Sequence, residues 1–197
     1  MILQQLKNSY FMLRHGKSVP NEKDLIVSDP KNGIEDYGLI TEGKDQVEKS
    51  VEKAKKDKIL DEKTIIVSSD FLRTLESAKI ARKILNSEPI VISPKLRERF
   101  FGDWEKTNGS NYQKVWDEDS KDSNHKINNV ESPNEVVQRV VSLINDLEKI
   151  YNNETILLVS HGDILQALQS YFEKIPFSSH TVEFLKTAEI RRLHLKQ

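Results

Sequence analysis

The sequence contains no cysteine. Disulfide bonds, thiolate catalysis and cysteine-ligated zinc are therefore excluded, and a reducing compartment is compatible with the chain. No apolar run approaches the roughly 18–20 residues that cross a bilayer. The opening MILQQLKNSYFMLRHGKS has neither the long apolar stretch nor the small-residue cleavage site of a secretory signal. A soluble, cytoplasmic protein with no membrane partner is the expectation. Charge of one sign is lacking too: 30 Lys and Arg face 31 Asp and Glu, for a formal net charge of −1. No global positive field would draw such a chain to nucleic acid, so any anion site has to be local. No linker or internal repeat divides the 197 residues, of which 37% are hydrophobic and 31% charged. One globular domain over residues 1–197 is expected, and nothing in the pattern specifies an oligomeric state.

What is present alternates between strand-like and helix-like stretches, which favours an α/β architecture. Tyr10 to Leu13 is a short apolar run that stops at Arg14-His15-Gly16. Thr64 to Val67 and Thr155 to Val159 are β-branched or aliphatic throughout, as strands buried on both faces are. Ile90 to Ile92 is a shorter candidate, stopped by Pro94. Between them, Leu72, Leu75, Ala78, Ala81 and Leu85 follow helical spacing, as do Val47, Val51 and Ala54 in a lysine-rich segment whose charge reads as a solvated face. Ser132-Pro133-Asn134-Glu135 reads as a capping box with proline at the first helical position, followed by a stripe of Val136, Val137, Val140, Ile144 and Leu147. Ile164, Leu165, Leu168 and Phe172 form another stripe after His161-Gly162. Residues 102–130 are polar, with Trp104 and Trp116 as isolated anchors. They read as a largely solvated insertion lying over the active-site edge of the sheet. The tail from Thr181 to Leu195 predicts two short strands around Lys186-Thr187.

Chemistry-bearing residues gather at the C-terminal ends of these runs, where open α/β sheets place their ligands. Arg14-His15-Gly16 ends the first and is followed by Lys17, Ser18 and Asn21. Ser69-Asp70-Phe71-Leu72-Arg73 ends the second, Glu98-Arg99-Phe100-Phe101-Gly102 follows the third, and Ser160-His161-Gly162 ends the fourth. Two arginine forks can hold a dianion and fixed donors can stabilise its transition-state charge. An oriented imidazole can act as a nucleophile, and a carboxyl group near the leaving oxygen can protonate it. Each residue also has a bland reading. The arginines could merely pair with Glu98 or Asp70, Asn21 could be a turn residue, and Glu105 or Glu131 could reach the pocket in place of Glu98. His125, His180 and His194 have no partner pattern and read as bystanders.

Taken together, the four motifs resemble the histidine phosphatase superfamily, of which the phosphoglycerate mutases are the best-known branch, over about Tyr10 to Leu195. The resemblance implies a three-layer α/β/α sandwich, mostly parallel, with one antiparallel edge strand from the tail. It makes His15 the phosphorylated nucleophile, Arg14, Arg73 and Asn21 phosphate-binding residues, His161 a second donor to the phosphoryl group, and Glu98, in an E-R-x-x-G signature, the general acid and base. Lys17, Arg99 and Phe101 become candidates for the substrate rim. Neither a metal nor a cofactor is implied. Ile40 stands where many relatives carry threonine, Ser77 replaces another threonine, and Lys17 replaces a common glutamate. The expected activity is phosphomonoester hydrolysis of a small phosphorylated substrate. A phosphoglycerate mutase and a non-catalytic phospholigand-binding module are the alternatives. The mutase is disfavoured because residues 102–130 lack its paired arginines and because Phe101 replaces a tyrosine.

Overall fold

The computed structural model describes residues 6–196. Five strands form one sheet: β1 (Ser9–Arg14), β2 (Ile65–Ser68), β3 (Val91–Ile92), β4 (Thr155–Ser160) and β5 (Ile190–Arg192), in the spatial order β3-β2-β4-β1-β5. All neighbours are parallel except β5, which runs antiparallel to β1 at the edge. The tail thus supplies one strand rather than two. Residues 181–187 run as a bend and turn that brings Phe184 and Leu185 over Arg14, and only Ile190–Arg192 pairs.

Strand side chains alternate between two apolar layers. Tyr10, Met12, Ile156 and Leu158 point to one, where α6 (Pro133–Ile150) and α7 (Gly162–Phe172) cover them. Leu13, Ile66, Leu157 and Val159 point to the other, under α3 (Thr41–Lys56) and α4 (Leu72–Leu85). That is why β4 has no polar residue between Thr155 and Ser160: both of its faces are interior. The short helices α1 (Val19–Lys23) and α2 (Pro30–Gly33) lie between β1 and α3.

The capping box at Ser132 is formed, with Ser132 Oγ accepting from the Glu135 amide and Glu135 accepting from the Ser132 amide. The Ile40 position, by contrast, is the N-cap of α3 and has no side chain to accept from the first turn. A threonine there would contribute a cap worth about 1 kcal/mol. In α4 the apolar stripe is shorter than its spacing suggests. Leu72 and Leu75 are only partly buried, while Arg73, Thr74 and Ser77 are the buried residues of the first turns, because that end of the helix faces the site and not the core.

The insertion is more ordered than its polarity suggests. Residues 111–119 form helix α5 (Asn111–Asp119), and the acid at its end is fully buried. Asp119 receives both arms of Arg99 at 2.6 and 2.7 Å, His125 Nε2 at 2.6 Å and His180 Nε2 at 2.7 Å. Burial alone would raise the Asp119 carboxyl, but the Arg99 fork and the two histidines hold it well below the usual carboxylate range. His125 and His180 are therefore not bystanders. They clamp the insertion and the loop after α7 onto one buried charge.

Because removing one partner of such a pair leaves the other charge buried and alone, Asp119→Ala should destabilise the fold by about 3–5 kcal/mol. Urea denaturation measures this, and a loss under about 1 kcal/mol would show that the clamp contributes little.

Candidate active site

The strands converge their ends on one place. β1 and β4 pair with Arg14 opposite Ser160, and the His15 amide donates to the Ser160 carbonyl at 3.0 Å. His15 and His161, the next residue of each strand, are thereby neighbours, with ring centroids 5.3 Å apart. Arg73 reaches the same point from the first turn of α4, and Glu98 from the loop after β3. One Glu98 oxygen is 3.7 Å from His161 Nδ1 and 3.9 Å from Arg73 Nη2. Asn21 lines the same cavity, although its Oδ1 is already held by the Ser18 amide and hydroxyl.

The loop that carries His15 is tightly fixed. A Cβ on Gly16 would sit 2.2 Å from the Gly43 carbonyl oxygen, and one on Gly43 would sit 1.9 Å from that of Lys17, so the two chains touch backbone to backbone. The Gly16 amide donates to Ser77 Oγ, and Ser77 donates in turn to the Arg73 carbonyl. The serine that replaces threonine here still ties the His15 loop to the helix bearing Arg73.

A hydrogen bond assigns the His15 tautomer. His15 Nδ1 is 2.8 Å from the Gly16 carbonyl, which can only accept. Nδ1 therefore carries the proton, and the Nε2 lone pair is free. Ser69 Oγ lies 3.2 Å from His161 Nε2. Burial first, and the Arg73 charge second, hold both imidazoles well below their ordinary value, so both are neutral. Burial, reinforced by Asp163, pushes the Glu98 carboxyl up to about 7 despite Arg73.

Two buried arginine nitrogens here, Arg14 Nε and Arg73 Nη1, have no protein partner among the described residues, and neither does the buried His161 Nδ1 behind them. One arm of each arginine is used structurally, Arg14 Nη1 on the Leu185 carbonyl and Arg73 Nη2 on that of Val27. Unpaired buried N–H groups are costly unless an acceptor meets them, and two guanidinium groups in the wall of one cavity suit an oxyanion. The cavity there is about 230 Å³. A larger cleft of about 530 Å³ lies on the other side of Glu98. Its cations are already matched, Arg97 by Asp70, Arg139 by Glu131 and Lys126 by Glu135, so it offers an anion less.

The structure brings Arg14, His15, Asn21, Arg73, Glu98 and His161 together, and it places the three rim candidates elsewhere. Lys17 is turned outward onto Glu42. Arg99 is buried behind the site on Asp119, and Phe101 packs with Ile26, Val115 and Val130. Of the rival acids, Glu105 is occupied by Ser28, Asp29 and Asn32, and Glu131 by Arg139. Asp163, a further candidate for the acid, lines the cavity, and residues that sequence reasoning passed over as its walls are Tyr112, Trp116 and Phe184. Tyr112 and Trp116 are four apart, one face of a helix, and that signal was readable once α5 was granted. Phe184 left none.

A profile of the histidine phosphatase superfamily (branch 1) matches residues 10–197. The chain belongs to that superfamily. Among its relatives, a protein named "Probable phosphoglycerate mutase GpmB" from Enterobacter sp. (strain 638) is 27% identical over 195 residues, covering 95% of this chain and 85% of that one. A glucosyl-3-phosphoglycerate phosphatase from Mycolicibacterium vanbaalenii is 27% identical over 188 residues, covering 87% and 76%. Among solved structures, a mycobacterial glucosyl-3-phosphoglycerate phosphatase complexed with VO3 superposes with a TM-score of 0.77 at 22% identity, covering 93% of this chain and 90% of that one. YhfR of Bacillus stearothermophilus gives 0.74 at 23% identity, covering 94% and 90%. These likenesses establish a histidine phosphatase fold, with its parallel sheet and antiparallel edge.

A raised Glu98 pKa has a thermodynamic sign. The folded chain keeps a proton that the unfolded chain releases near pH 4.3, so Glu98 costs stability increasingly from there up to about pH 7. Glu98→Gln should therefore gain stability relative to the parent between pH 5 and pH 8. Denaturation midpoints at the two pH values measure it, and an unchanged difference would mean that Glu98 titrates normally.

Proposed function

We propose that this histidine phosphatase superfamily member is a phosphomonoester hydrolase that works through a phosphohistidine on His15. The observation that carries the reading is the pair of unpaired arginine nitrogens, Arg14 Nε and Arg73 Nη1, whose residues line one cavity with His15 and its free Nε2 lone pair, with His161 packed against His15. Those donors hold the phosphoryl oxygens. The His15 Nε2 lone pair forms a bond to phosphorus as the ester P–O bond breaks, and protonated Glu98 delivers its proton to the departing alkoxide. In the second half, the Glu98 carboxylate takes a proton from water, the water oxygen attacks phosphorus, and the N–P bond breaks to release phosphate. A carboxyl poised near neutrality suits both halves. Burial and the arginines keep His15 unprotonated and hence nucleophilic.

A phosphoglycerate mutase would use the same phosphohistidine but return the group to a bound acid, and one relative bears that name. Hydrolysis is the better-supported reading because, among the described residues, no third cation lines the cavity to hold an acid's carboxylate. A purely binding module needs neither a free imidazole lone pair nor an acid. Among the described residues, no group of three His, Asp or Glu side chains is arranged to hold a metal ion, and the proposed route calls for none.

Rapid quenching with labelled phosphate ester, in the presence of a chelator, should trap label on the protein, stable in alkali and lost in acid, as an N–P bond behaves. His15→Ala should still bind phosphate while losing nearly all turnover. A variant within about tenfold of the parent rate, only ~1.4 kcal/mol of barrier, would remove His15 from the role.

A further inference from the structure

We propose that the cavity selects phosphate monoesters of an uncharged, hydroxyl-bearing ring, such as a sugar or nucleoside, and rejects the phosphates of hydroxy acids. The proposal rests on the hydrolase reading and concerns the half of the cavity that receives the alcohol.

That half differs in character from the phosphate half. Leu25, Pro20, Tyr112, Trp116 and Phe184 line it, together with one carboxyl group, Asp163. Tyr112 and Trp116 stack nearly parallel, with centroids 5.8 Å apart and planes at 15°, and Phe184 lies 5.5 Å from Trp116. Such a wall fits the flat or weakly polar face of a ring. The wall is held in place from behind, since Trp116 and Asp119 belong to the same short helix and Asp119 is clamped by Arg99, His125 and His180.

Two polar groups on this side lack partners. Asp163 Oδ2 is buried and accepts no hydrogen bond among the described residues, and the Trp116 indole N–H is buried without an acceptor. The indole N–H lies close enough to Asp163 to offset part of the upward push of burial on its carboxyl, but not in a geometry that satisfies either group. An acceptor beside a donor is the complement of a hydroxyl, which can donate to the one while accepting from the other. Leaving both unmade is costly, so an alcohol bearing that hydroxyl gains where one lacking it does not.

The charge inventory argues against an acid. Among the described residues, only Arg14 and Arg73 bring positive charge to the cavity wall, and their unpaired N–H groups face the phosphate half. Arg99 stands behind Asp163 at 3.9 Å, but both of its arms are spent on Asp119. Lys17 is outside on Glu42. A substrate carboxylate would therefore enter beside Asp163 with no counterion, in a site already carrying Glu98. This separates the chain from the substrates that the names of its relatives state, both of which contain a phosphoglycerate.

The test compares kcat/KM for p-nitrophenyl phosphate, D-ribose 5-phosphate, a nucleoside 5′-monophosphate and 3-phosphoglycerate, in the parent chain and in Asp163→Asn and Trp116→Phe. The parent should turn over the ribose or nucleoside ester at least about 100-fold better than 3-phosphoglycerate. Asp163→Asn should cut that ratio by about tenfold or more, by improving the acid and weakening the ring ester, chiefly in KM. Trp116→Phe should weaken the ring ester without helping the acid. If 3-phosphoglycerate equals or exceeds the ring esters in the parent, or if Asp163→Asn folds and leaves the ratio unchanged, the selectivity proposal is overturned while the hydrolase reading stands. If p-nitrophenyl phosphate is not turned over at all, the hydrolase reading falls and takes this proposal with it. Should Asp163→Asn not fold, the parent's own ratio still decides.

Discussion

Parallel pairing of β1 with β4, in the register that sets Arg14 against Ser160, is the constraint on which the site depends. It delivers His15 and His161 from opposite ends of the chain to one point, since each is the residue that follows its strand. Registers in a sheet buried on both faces are strongly specified, because a one-residue slip would exchange the two apolar layers. A slip of β1 would turn Tyr10 and Met12 toward α3 and α4, and Leu13 toward α6 and α7. The packing of the core and the spacing of the two imidazoles are thus one and the same fact.

Electrostatics builds on that spacing. The site places two arginines against two histidines with little water access, and the result is two neutral imidazoles rather than two cations. The cost of burying unpaired N–H groups and a raised carboxyl is borne by the surrounding order. Gly16 touches Gly43, Ser77 bridges Gly16 and Arg73, and Ser160 Oγ donates to the Leu96 carbonyl. Strain of this kind is commonly concentrated at functional sites and compensated elsewhere. The fully satisfied Asp119 clamp, by contrast, carries no orphaned group. It serves geometry, keeping the aromatic wall of α5 facing the cavity.

Much of this was legible in the sequence. Continuous apolar runs marked β1, β2 and β4, the Ser132 box marked the start of α6, and the polar residues that end each run named the six that meet. What failed to be read shares a cause. Arg99, Phe101 and Lys17 sit next to site residues in sequence, yet adjacency says nothing about which way a side chain turns in a loop. Arg99 turns inward to Asp119, an acid within a run that reads as solvated. His125 and His180 meet that acid from separate loops, a coincidence of tertiary structure with no periodic trace. The polarity of 102–130 hid α5 because a helix clamped by a buried ion pair needs little apolar stripe. Phe184 enters through the turn before β5, where the alternating pattern of the tail suggested a second strand.

The state of His15 is the most direct point of contact between structure and chemistry. Nitrogen NMR of the imidazoles, with the protein titrated from pH 8 to pH 5, reads both tautomer and protonation. A neutral His15 protonated on Nδ1 at pH 8, with its transition displaced below the ordinary value of about 6.5, is the result that burial, the arginines and the Gly16 hydrogen bond predict. A His15 protonated on Nε2, or one that titrates at or above that value, would contradict the account.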